Sequence, residues 1–415
     1  MTHANEGRTV NGPYGPSRCP RLTAMSGRDL FCQPRRMRRG AALTLVFTSV
    51  LVAGAATGSL PGTEREPAPG PSRASVPAAR PDEVRDAAAR ALADGKSPLE
   101  AAERAVSRSG DRWDAVYSEG EYEEFEDALD GAYTGVGLRA RRERDGSIEV
   151  TRVAPGSPAA GAGIRAGDRL RSVDGHPVDG RPVTEVVSLL RGDAADAPAG
   201  TPVRLGLERG TRVWSVTLRR ARLSTDTVTV RTLPDGNTLI KIGAFTKGTG
   251  DTVRAAVRRA PRGGGIILDL RGNSGGLVAE AVTTASAFLD GGLVATYDVE
   301  GEQQALHAEP GGDTERPLVA LVDGGTMSAA ELLTGALQDR GRAVVVGSRT
   351  FGKGSVQVPR EQPDGSVAEL TVGQYTTPAG RTVEREGITP DLEVRPGDSA
   401  LDEARTVLSG LGPRP

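Results

Sequence analysis

The sequence predicts a mixed α/β protein whose largest part is a layered α/β domain with a mostly parallel sheet. From Thr227 onward, apolar strand patterns alternate with amphipathic helix patterns, the order expected of a parallel sheet flanked by helices. The predicted strands are Thr238–Ile242, Gly265–Leu270, Leu318–Val322 and Ala343–Gly347, and the predicted helices are Gly250–Arg259, Leu277–Leu289 and Ser328–Asp339. Residues 133–222 instead carry short strands, the first predicted to open at Gly135–Leu138, and glycine turns, which predicts a separate compact domain. We assign residues 223–397 to the α/β core and 398–415 to a C-terminal helix and tail.

The part of the chain before residue 133 divides by composition into four segments. Residues 1–34 are rich in Gly, Pro, Arg and Ser, which predicts a disordered extension. Residues 35–58 join an arginine cluster to an uncharged apolar run, the pattern of a signal sequence or membrane anchor. A Pro- and Ala-rich linker (59–81) and a helical segment (82–132) follow. We therefore expect the rest of the chain outside the cytoplasm, anchored by this segment or secreted after its cleavage.

Composition excludes several classes of function. The 415-residue chain has a formal net charge of −2 and only 3 % aromatic residues, so neither a basic surface nor stacking platforms favour nucleic acid as a partner. Both cysteines, Cys19 and Cys32, precede the apolar segment. The predicted folded part therefore has no cysteine for a disulfide, a nucleophile or a metal site.

Two glycine-rich turns follow apolar strands, at residues 269–276 and 323–328. Active sites in α/β sheets favour this carboxyl edge, and each turn leads into a helix whose first N–H groups are free to bind an oxyanion. Ser328 is therefore well placed to act as a nucleophile. Taken alone, it is better explained as an ordinary N-cap serine, since Glu331 completes a capping box.

Lys353 provides a candidate base for that serine. It lies between two glycines after the strand Ala343–Gly347, and Ser355 and Gln357 follow on the same face of an extended segment. Burial disfavours the charged form of a lysine, so a buried Lys353 can act as a general base, and Gln357 can hold its amine. A solvated turn lysine is the alternative interpretation.

Other interpretations of these motifs have less support. His176 follows an Asp-Gly turn and His307 lies in a polar stretch, so neither is placed like the base of a catalytic triad. The segment Gly352–Ser355 lacks the spacing of a phosphate-binding P-loop.

The segments from about Arg112 to Leu411 together resemble the carboxyl-terminal processing protease family, serine peptidases with an embedded PDZ domain. The stretches that carry the resemblance are Glu121–Phe125, Gly135–Leu138, Gly163–Asp168, Asp269–Gly276, the turn at Ser328, Phe351–Gly354 and Gly387–Asp391. Each stretch alone is weak evidence for the family, whereas their shared order and spacing are specific to it.

The resemblance implies roles for the core residues. Ser328 matches the nucleophile, Lys353 the general base and Gln357 the residue that orients it. The oxyanion hole is implied at Gly275 or Gly276 together with the amide of Ala329, and Asp339 matches a possible supporting acid. The implied mechanism requires no metal and no cofactor.

The resemblance also implies a fold, a substrate and a place of action. It implies a core of the crotonase and Clp type with an inserted PDZ domain, whose residues Gly135, Val136, Gly137 and Leu138 bind the carboxylate of a substrate tail. The implied partners are proteins with apolar C-terminal tails in the bacterial cell envelope. Around the nucleophile, Met327 and Ala330 depart from the small or serine residues usual in the family.

Two alternative functions remain open from the sequence. The chain can be a non-catalytic envelope scaffold that binds tails through its PDZ domain, although the combination of Ser328, Lys353 and Gln357 opposes this. It can also act on acyl thioesters, as other enzymes with related cores do, because fold alone does not fix function. Oligomeric state, natural substrate and any activating partner are not predicted.

Overall fold

The computed structural model describes residues 79–143, 145–191, 197–299, 302–395 and 397–411. The predicted extension, signal segment and nearly all of the linker lie outside these residues. No helix in the described ranges is both long enough and apolar enough to cross a bilayer.

The chain first forms a small helical segment that packs on the core. Ser97 and Ser118 cap the second and third helices, and Glu121 completes a capping box with Ser118. The short strand β1 pairs antiparallel with β18 of the core (Val367–Thr376). The elements are α1 Pro81–Ala93, α2 Pro98–Ser109, β1 Ala115–Tyr117 and α3 Glu119–Leu129.

The next part is the predicted PDZ domain, built on an antiparallel sheet of order β3-β4-β5-β7-β8 with β6 beside β5. Its core is a closed apolar cluster that includes Ile148, Leu170, Val186, Leu205 and Leu207. Strands β2 and β9 pair with each other where the chain enters and leaves the domain. The elements are β2 Ala132–Gly135, β3 Leu138–Arg142, β4 Ile148–Val153, α4 Pro158–Gly161, β5 Arg169–Val173, β6 His176–Pro177, α5 Val183–Arg191, β7 Pro202–Arg209, β8 Arg212–Arg219 and β9 Ala221–Ser224.

The core contains a six-stranded sheet of order β10-β11-β12-β15-β16-β19, parallel except for β10. Alternate residues of its strands face helices α6, α7 and α8 on one side and α9 on the other. Burial on both faces explains the continuous apolar runs of β12 and β15. The elements are β10 Val228–Thr232, β11 Thr238–Ile242, α6 Thr249–Arg259, β12 Ile266–Asp269, α7 Val278–Ala285, β15 Leu318–Val322, α8 Ala329–Asp339, β16 Val344–Gly347, β19 Leu392–Glu393 and α9 Ala400–Leu411.

A second sheet combines strands from distant parts of the chain. Its order is β1-β18-β13-β14, with β17 also paired to β18, so that the N-terminal segment and the core share one sheet. The remaining elements are β13 Leu293–Val299, β14 Glu302–His307, β17 Ser355–Glu361 and β18 Val367–Thr376.

The mixed α/β class and the alternating core are confirmed, and three local predictions need correction. The segment Gly135–Leu138 is not one strand: β2 ends at Gly135 and β3 begins at Leu138. Gly137 has φ 83°, and a Cβ there would lie 2.2 Å from the Cβ of Ser157, so the turn requires glycine. The helix predicted at Leu277–Leu289 ends at Ala285, and α8 begins at Ala329 with Ser328 as its N-cap.

Candidate active site

Ser328 lies at a strained junction between a buried strand and a helix. The turn after β15 is held by Asp323, whose Oδ1 accepts hydrogen bonds from the N–H groups of Gly272 and Gly325, both at 2.9 Å. Ser328 then adopts φ 56° and ψ −120°, and α8 begins at the next residue. A non-glycine residue in this conformation costs about 1–3 kcal/mol, and such outliers concentrate at functional sites.

The buried carboxylate of Glu331 joins the serine turn to the lysine segment. Its Oε2 accepts hydrogen bonds from the backbone N–H groups of Ser328 (2.8 Å) and Lys353 (2.9 Å). Its Oε1 accepts from the Gly352 N–H (2.7 Å) and the Thr350 hydroxyl (2.5 Å). Burial raises the pKa of Glu331, and these four hydrogen bonds oppose that rise. One side chain thereby fixes the relative position of the two candidate catalytic residues.

Tyr375 makes a second connection between the same two residues. Its hydroxyl lies 3.0 Å from the carbonyl oxygen of Ser328 and 3.2 Å from that of Lys353. Glu331 therefore bridges the two N–H groups while Tyr375 bridges the two carbonyls. The segments that carry Ser328 and Lys353 are consequently held side by side, although they are 25 residues apart in the sequence.

The side chain of Lys353 is fully buried, which excludes a solvated turn lysine. Its Nζ donates a hydrogen bond to Oε1 of Gln357 at 3.2 Å and lies 4.0 Å from the ring centroid of Trp113. Burial penalises the ammonium form, whereas the amide oxygen and the indole favour it. The neighbourhood therefore suits an amine that gains and loses a proton during a reaction.

The two glycines around Lys353 allow its backbone to approach a neighbouring segment. A Cβ on Gly354 would lie 2.6 Å from the backbone nitrogen of Glu384, and one on Gly352, whose φ is 89°, would lie 2.9 Å from a carbonyl carbon at Arg385. The Gly354 N–H also donates to Oε2 of Glu384 at 3.0 Å. Glycine at both positions thus permits the turn that directs Lys353 inward.

A second buried acid, Glu369 on β18, lies in the surroundings of the lysine. Only 1 % of Glu369 is exposed, and its Oε1 has no hydrogen-bond partner among the described residues. Burial raises the pKa of Glu369 to about 8, against the opposing charge of Lys353. Thr371 of β18 lies opposite Gln357 of β17, and Glu369 is two residues from Thr371 on the same strand. The side chains of Glu369 and Gln357 therefore extend from the same face of the hairpin.

Backbone N–H groups beside Ser328 form a candidate oxyanion hole. Gly275 packs against the serine, since a Cβ there would lie 2.9 Å from the Ser328 Cβ. Its own N–H already donates to Oδ1 of Asn273 at 2.9 Å. The N–H groups of Gly276 and Ala329 donate to no acceptor within the described part of the chain. Of the two predicted glycines, the geometry therefore favours Gly276 as the partner of Ala329.

A narrow apolar cavity opens beside the serine. Its volume is about 10 Å³, and it borders Ser328 together with Ser355 and Gln357. Its apolar lining comes from four strands of the second sheet and from helices α7 and α8: Val278, Tyr297, Leu306, Leu332, Val356 and Tyr375. An apolar recess next to a nucleophile can hold the side chain that precedes a cleaved bond, and its size suits a small side chain.

The other predicted site residues lie apart from this centre. Asp339 ends α8, about 16 Å along the helix from Ser328 at 1.5 Å per residue. It contacts Arg381 and accepts a hydrogen bond from the Ala379 N–H at 2.8 Å, so it holds the segment after β18 instead of the dyad. The loop formed by residues 135–138 lies in the PDZ domain.

Partly exposed apolar side chains on β3 and α5 follow the loop at residues 135–138. Leu138 and Ala140 of β3 and Leu189 of α5 pack against the domain core while remaining partly exposed. An edge strand that contacts a helix and begins at a glycine turn suits an extended peptide that adds to the strand and ends at the turn.

Sequence reasoning missed three members of the active centre. The sequence indicates Glu331 only as part of a helix cap, and it singles out neither Tyr375 nor Trp113. No local pattern identifies these residues, because each acts on a segment at least 20 residues away in sequence.

Comparisons with known proteins agree with this architecture. Residues 237–394 match the model of peptidase family S41, and residues 149–209 match a PDZ domain. The chain is 34 % identical over 295 residues to the carboxy-terminal processing protease CtpA of Bacillus subtilis (strain 168), covering 69 % of this chain and 62 % of that protein. It is 35 % identical over 312 residues to carboxyl-terminal-processing peptidase 3, chloroplastic, of Arabidopsis thaliana, covering 70 % and 59 %.

A solved structure shows the same fold at lower identity. A Bacteroides fragilis NCTC 9343 protein assigned to the S41 proteases aligns with a TM-score of 0.51 and 19 % identity, covering 76 % of this chain and 91 % of that one. The chain spans about 60 % of the length of the curated relatives that it matches.

Proposed function

The chain belongs to the carboxyl-terminal processing protease family, and we propose that it is a serine endopeptidase with Ser328 as nucleophile and Lys353 as general base. The observation that supports this most directly is the double bridge between the two residues. Glu331 Oε2 accepts both backbone N–H groups, and the Tyr375 hydroxyl contacts both carbonyls. This arrangement would be costly to build around two residues with no joint function, because Ser328 must also keep a strained backbone.

The proposed reaction is acyl transfer. Neutral Lys353 takes the proton of the Ser328 hydroxyl as its oxygen attacks the peptide carbonyl. The N–H groups of Gly276 and Ala329 stabilise the resulting oxyanion, and the Lys353 ammonium then protonates the leaving amine. Water subsequently attacks the acyl-enzyme, with Lys353 again as the base. Gln357 orients the amine throughout through its 3.2 Å hydrogen bond.

The PDZ domain supplies tail recognition in this proposal. An apolar C-terminal tail lies along β3 against Leu138, Ala140 and Leu189, and its carboxylate meets the N–H groups of the turn at residues 136–138. The substrate class is therefore proteins with an apolar, accessible C-terminus. The narrow cavity beside Ser328 favours cleavage after a small apolar residue.

We further propose that the enzyme acts outside the cytoplasm on cell-envelope proteins. The support is the arginine cluster and the uncharged apolar run at residues 35–58, which match a signal sequence or anchor. Fusion of residues 1–80 to a reporter enzyme that is active only after export tests this location. Reporter activity is expected, and an inactive but full-length fusion would contradict it.

The experiment that tests the activity compares the full chain with its Ser328→Ala variant. Each is mixed with an unfolded reporter protein that ends in an apolar tail, and with a matched reporter whose last residues are charged. Mass spectrometry of the products identifies the cleaved bonds. We expect the unaltered chain to cleave the apolar-tailed reporter preferentially and Ser328→Ala to cleave neither.

Three results distinguish the proposals. Equal cleavage by Ser328→Ala would overturn the serine mechanism. Equal cleavage of both reporters would overturn tail recognition while leaving the mechanism intact. Binding of the apolar tail without cleavage by either chain would favour a tail-binding scaffold.

A further inference from the structure

Trp113 reaches the catalytic lysine from a part of the chain that precedes the PDZ domain. It lies between α2 and β1 and is only 3 % exposed. Its position is outside both matched regions, residues 149–209 and 237–394. The contact between Trp113 and Lys353 therefore involves a residue that neither family match includes.

Trp113 contacts the amine both directly and through Gln357. The Lys353 Nζ lies 4.0 Å from the indole centroid, a distance at which a cation is attracted to the ring. The backbone carbonyl of Trp113 accepts a hydrogen bond from Nε2 of Gln357. The Oε1 of the same amide accepts from Lys353 Nζ at 3.2 Å. The carbonyl of Trp113 thus fixes which end of the Gln357 amide faces the lysine.

Several bonds hold Trp113 in this place. Its Nε1–H donates to Oε1 of Glu384 at 3.2 Å, and the other oxygen of Glu384 accepts the Gly354 N–H at 3.0 Å. Arg112 lies 4.2 Å from the ring centroid and 3.2 Å from the same Glu384 oxygen. The next residue, Asp114, accepts the Thr371 N–H of β18 at 2.7 Å. These contacts leave the indole little freedom to move away from the lysine.

The charged and titratable groups around Lys353 come from four elements. Glu369 extends from β18 and Glu331 from α8, the latter bonded to the Lys353 backbone. Glu384 accepts the indole N–H at 3.2 Å, and the Arg112 guanidinium lies over the indole ring, 4.2 Å from its centroid. The buried indole therefore gives the Lys353 amine both a π face and an apolar neighbour that occupies space otherwise open to water.

We propose that Trp113 is a positioning residue for Lys353. Trp113 sets the pH range over which the Lys353 amine loses its proton, and it completes the active centre only when the N-terminal segment is docked on β18. This inference rests on the proposed function of Lys353 as general base. It assigns residues 79–118 a direct part in catalysis through the side chain of Trp113 and the pairing of β1 with β18.

Trp113 has two opposite effects on the pH at which the Lys353 amine loses its proton, and substitutions can separate them. Its π face favours the ammonium, whereas its bulk excludes the water that would also stabilise the ammonium. Trp113→Leu removes the π face and keeps most of the apolar cover. The amine should then become neutral at a lower pH, by roughly 0.5 to 1 unit. Trp113→Gly admits water and should move the transition to a higher pH. Trp113→Phe keeps a π face and should leave the transition nearest to its original position.

The experiment uses the Ser328→Ala full chain, so that its readout does not depend on proteolysis. Lys353 is acetylated with dilute acetic anhydride at a series of pH values, and mass spectrometry of the Lys353 peptide gives the initial rate at each. Since only the neutral amine reacts, the midpoint of the rate against pH reports its protonation. Trp214→Leu is the matched control, because Trp214 also contacts arginines, at 5.4 and 5.5 Å, but lies in the PDZ domain.

The expected result is a midpoint that moves down for Trp113→Leu, up for Trp113→Gly and not at all for Trp214→Leu. Identical midpoints for all Trp113 variants would overturn the proposal and assign Trp113 a purely structural role. The same variants with Ser328 intact give the pH profile of kcat/KM. A shift in acetylation without any proteolysis in the unaltered chain would refute the proposed function and leave the Trp113–Lys353 coupling established.

Discussion

Substitution of Glu331 by glutamine tests whether one carboxylate holds the active centre together. The change preserves shape but replaces one acceptor oxygen by a donor NH₂ group. Because each oxygen of Glu331 now accepts two hydrogen bonds, two donors lose their acceptor whichever way the amide turns. Hydrogen bonds to a charged group contribute roughly 1.5–3 kcal/mol each, so the expected loss in the free energy of unfolding is about 3–6 kcal/mol. This is a large part of the roughly 5–15 kcal/mol available to a domain.

Two assays separate loss of stability from loss of the site. Urea unfolding measures the free energy, and labelling of Ser328 by a fluorophosphonate, counted per folded molecule, measures the reactivity of the serine. We expect labelling of Glu331→Gln to slow at least tenfold, since the backbones of Ser328 and Lys353 are no longer held by a common acceptor. The matched control is Glu280→Gln, whose carboxylate accepts the N–H groups of Gly248 (2.9 Å) and Gly250 (2.8 Å) away from the serine.

The control should lower stability without slowing the labelling of folded molecules. A Glu331→Gln chain with normal stability and normal labelling would refute the reasoning that this carboxylate organises the centre. Equal slowing in both variants would show that labelling reports general destabilisation.

Three further substitutions extend the account. Burial raises the pKa of Glu369 to about 8. Between the ordinary pKa of a glutamate and pH 8, the folded state therefore keeps a proton that the unfolded state has released. The free energy of unfolding should therefore fall as pH rises towards 8, by up to about 1.4 kcal/mol per unit, and Glu369→Gln should flatten this dependence in urea titrations; equal slopes would contradict it. Gly276→Ala should unfold or inactivate the core, because its Cβ would lie 2.3 Å from the Phe245 carbonyl oxygen, and a fully active, stable variant would exclude this packing. Gly137→Ala should weaken binding of an apolar-tailed peptide at least tenfold by fluorescence anisotropy while Ser328 labelling is retained, and unchanged affinity would remove the turn from the tail site.

The alternating core was predictable because its signals are local. Strands buried on both faces give uninterrupted apolar runs, and the glycine-rich turns after β12 and β15 mark where each strand ends. The same local signals located Ser328 at a helix start and placed Gln357 on the face of Lys353. The 3.2 Å hydrogen bond brings the two side chains together, although Lys353 precedes β17 and the register of that strand shifts between Val356 and Gln357.

The contacts that assemble the site were not predictable from local patterns. Trp113 and Gln357 are 244 residues apart, and Glu331 accepts from N–H groups 21 and 22 residues later. The second sheet joins β1, β13, β14, β17 and β18 from distant parts of the chain, and its strands show mixed burial. The segment Gly135–Leu138 was misassigned for a related reason: its apolar alternation resembles a strand, whereas the contact of Gly137 with Ser157 requires a turn.

The most direct test of the central claim is the rate at which a fluorophosphonate modifies Ser328 in the unaltered chain and in Lys353→Met. Methionine keeps the apolar length of the lysine but cannot accept a proton. Mass spectrometry of the Ser328 peptide gives the rate, and circular dichroism confirms that both chains are folded. The account predicts modification at Ser328 in the unaltered chain and a rate at least about 100-fold lower in Lys353→Met, as for removal of a general base. Equal rates in two folded chains would contradict the Ser328–Lys353 dyad.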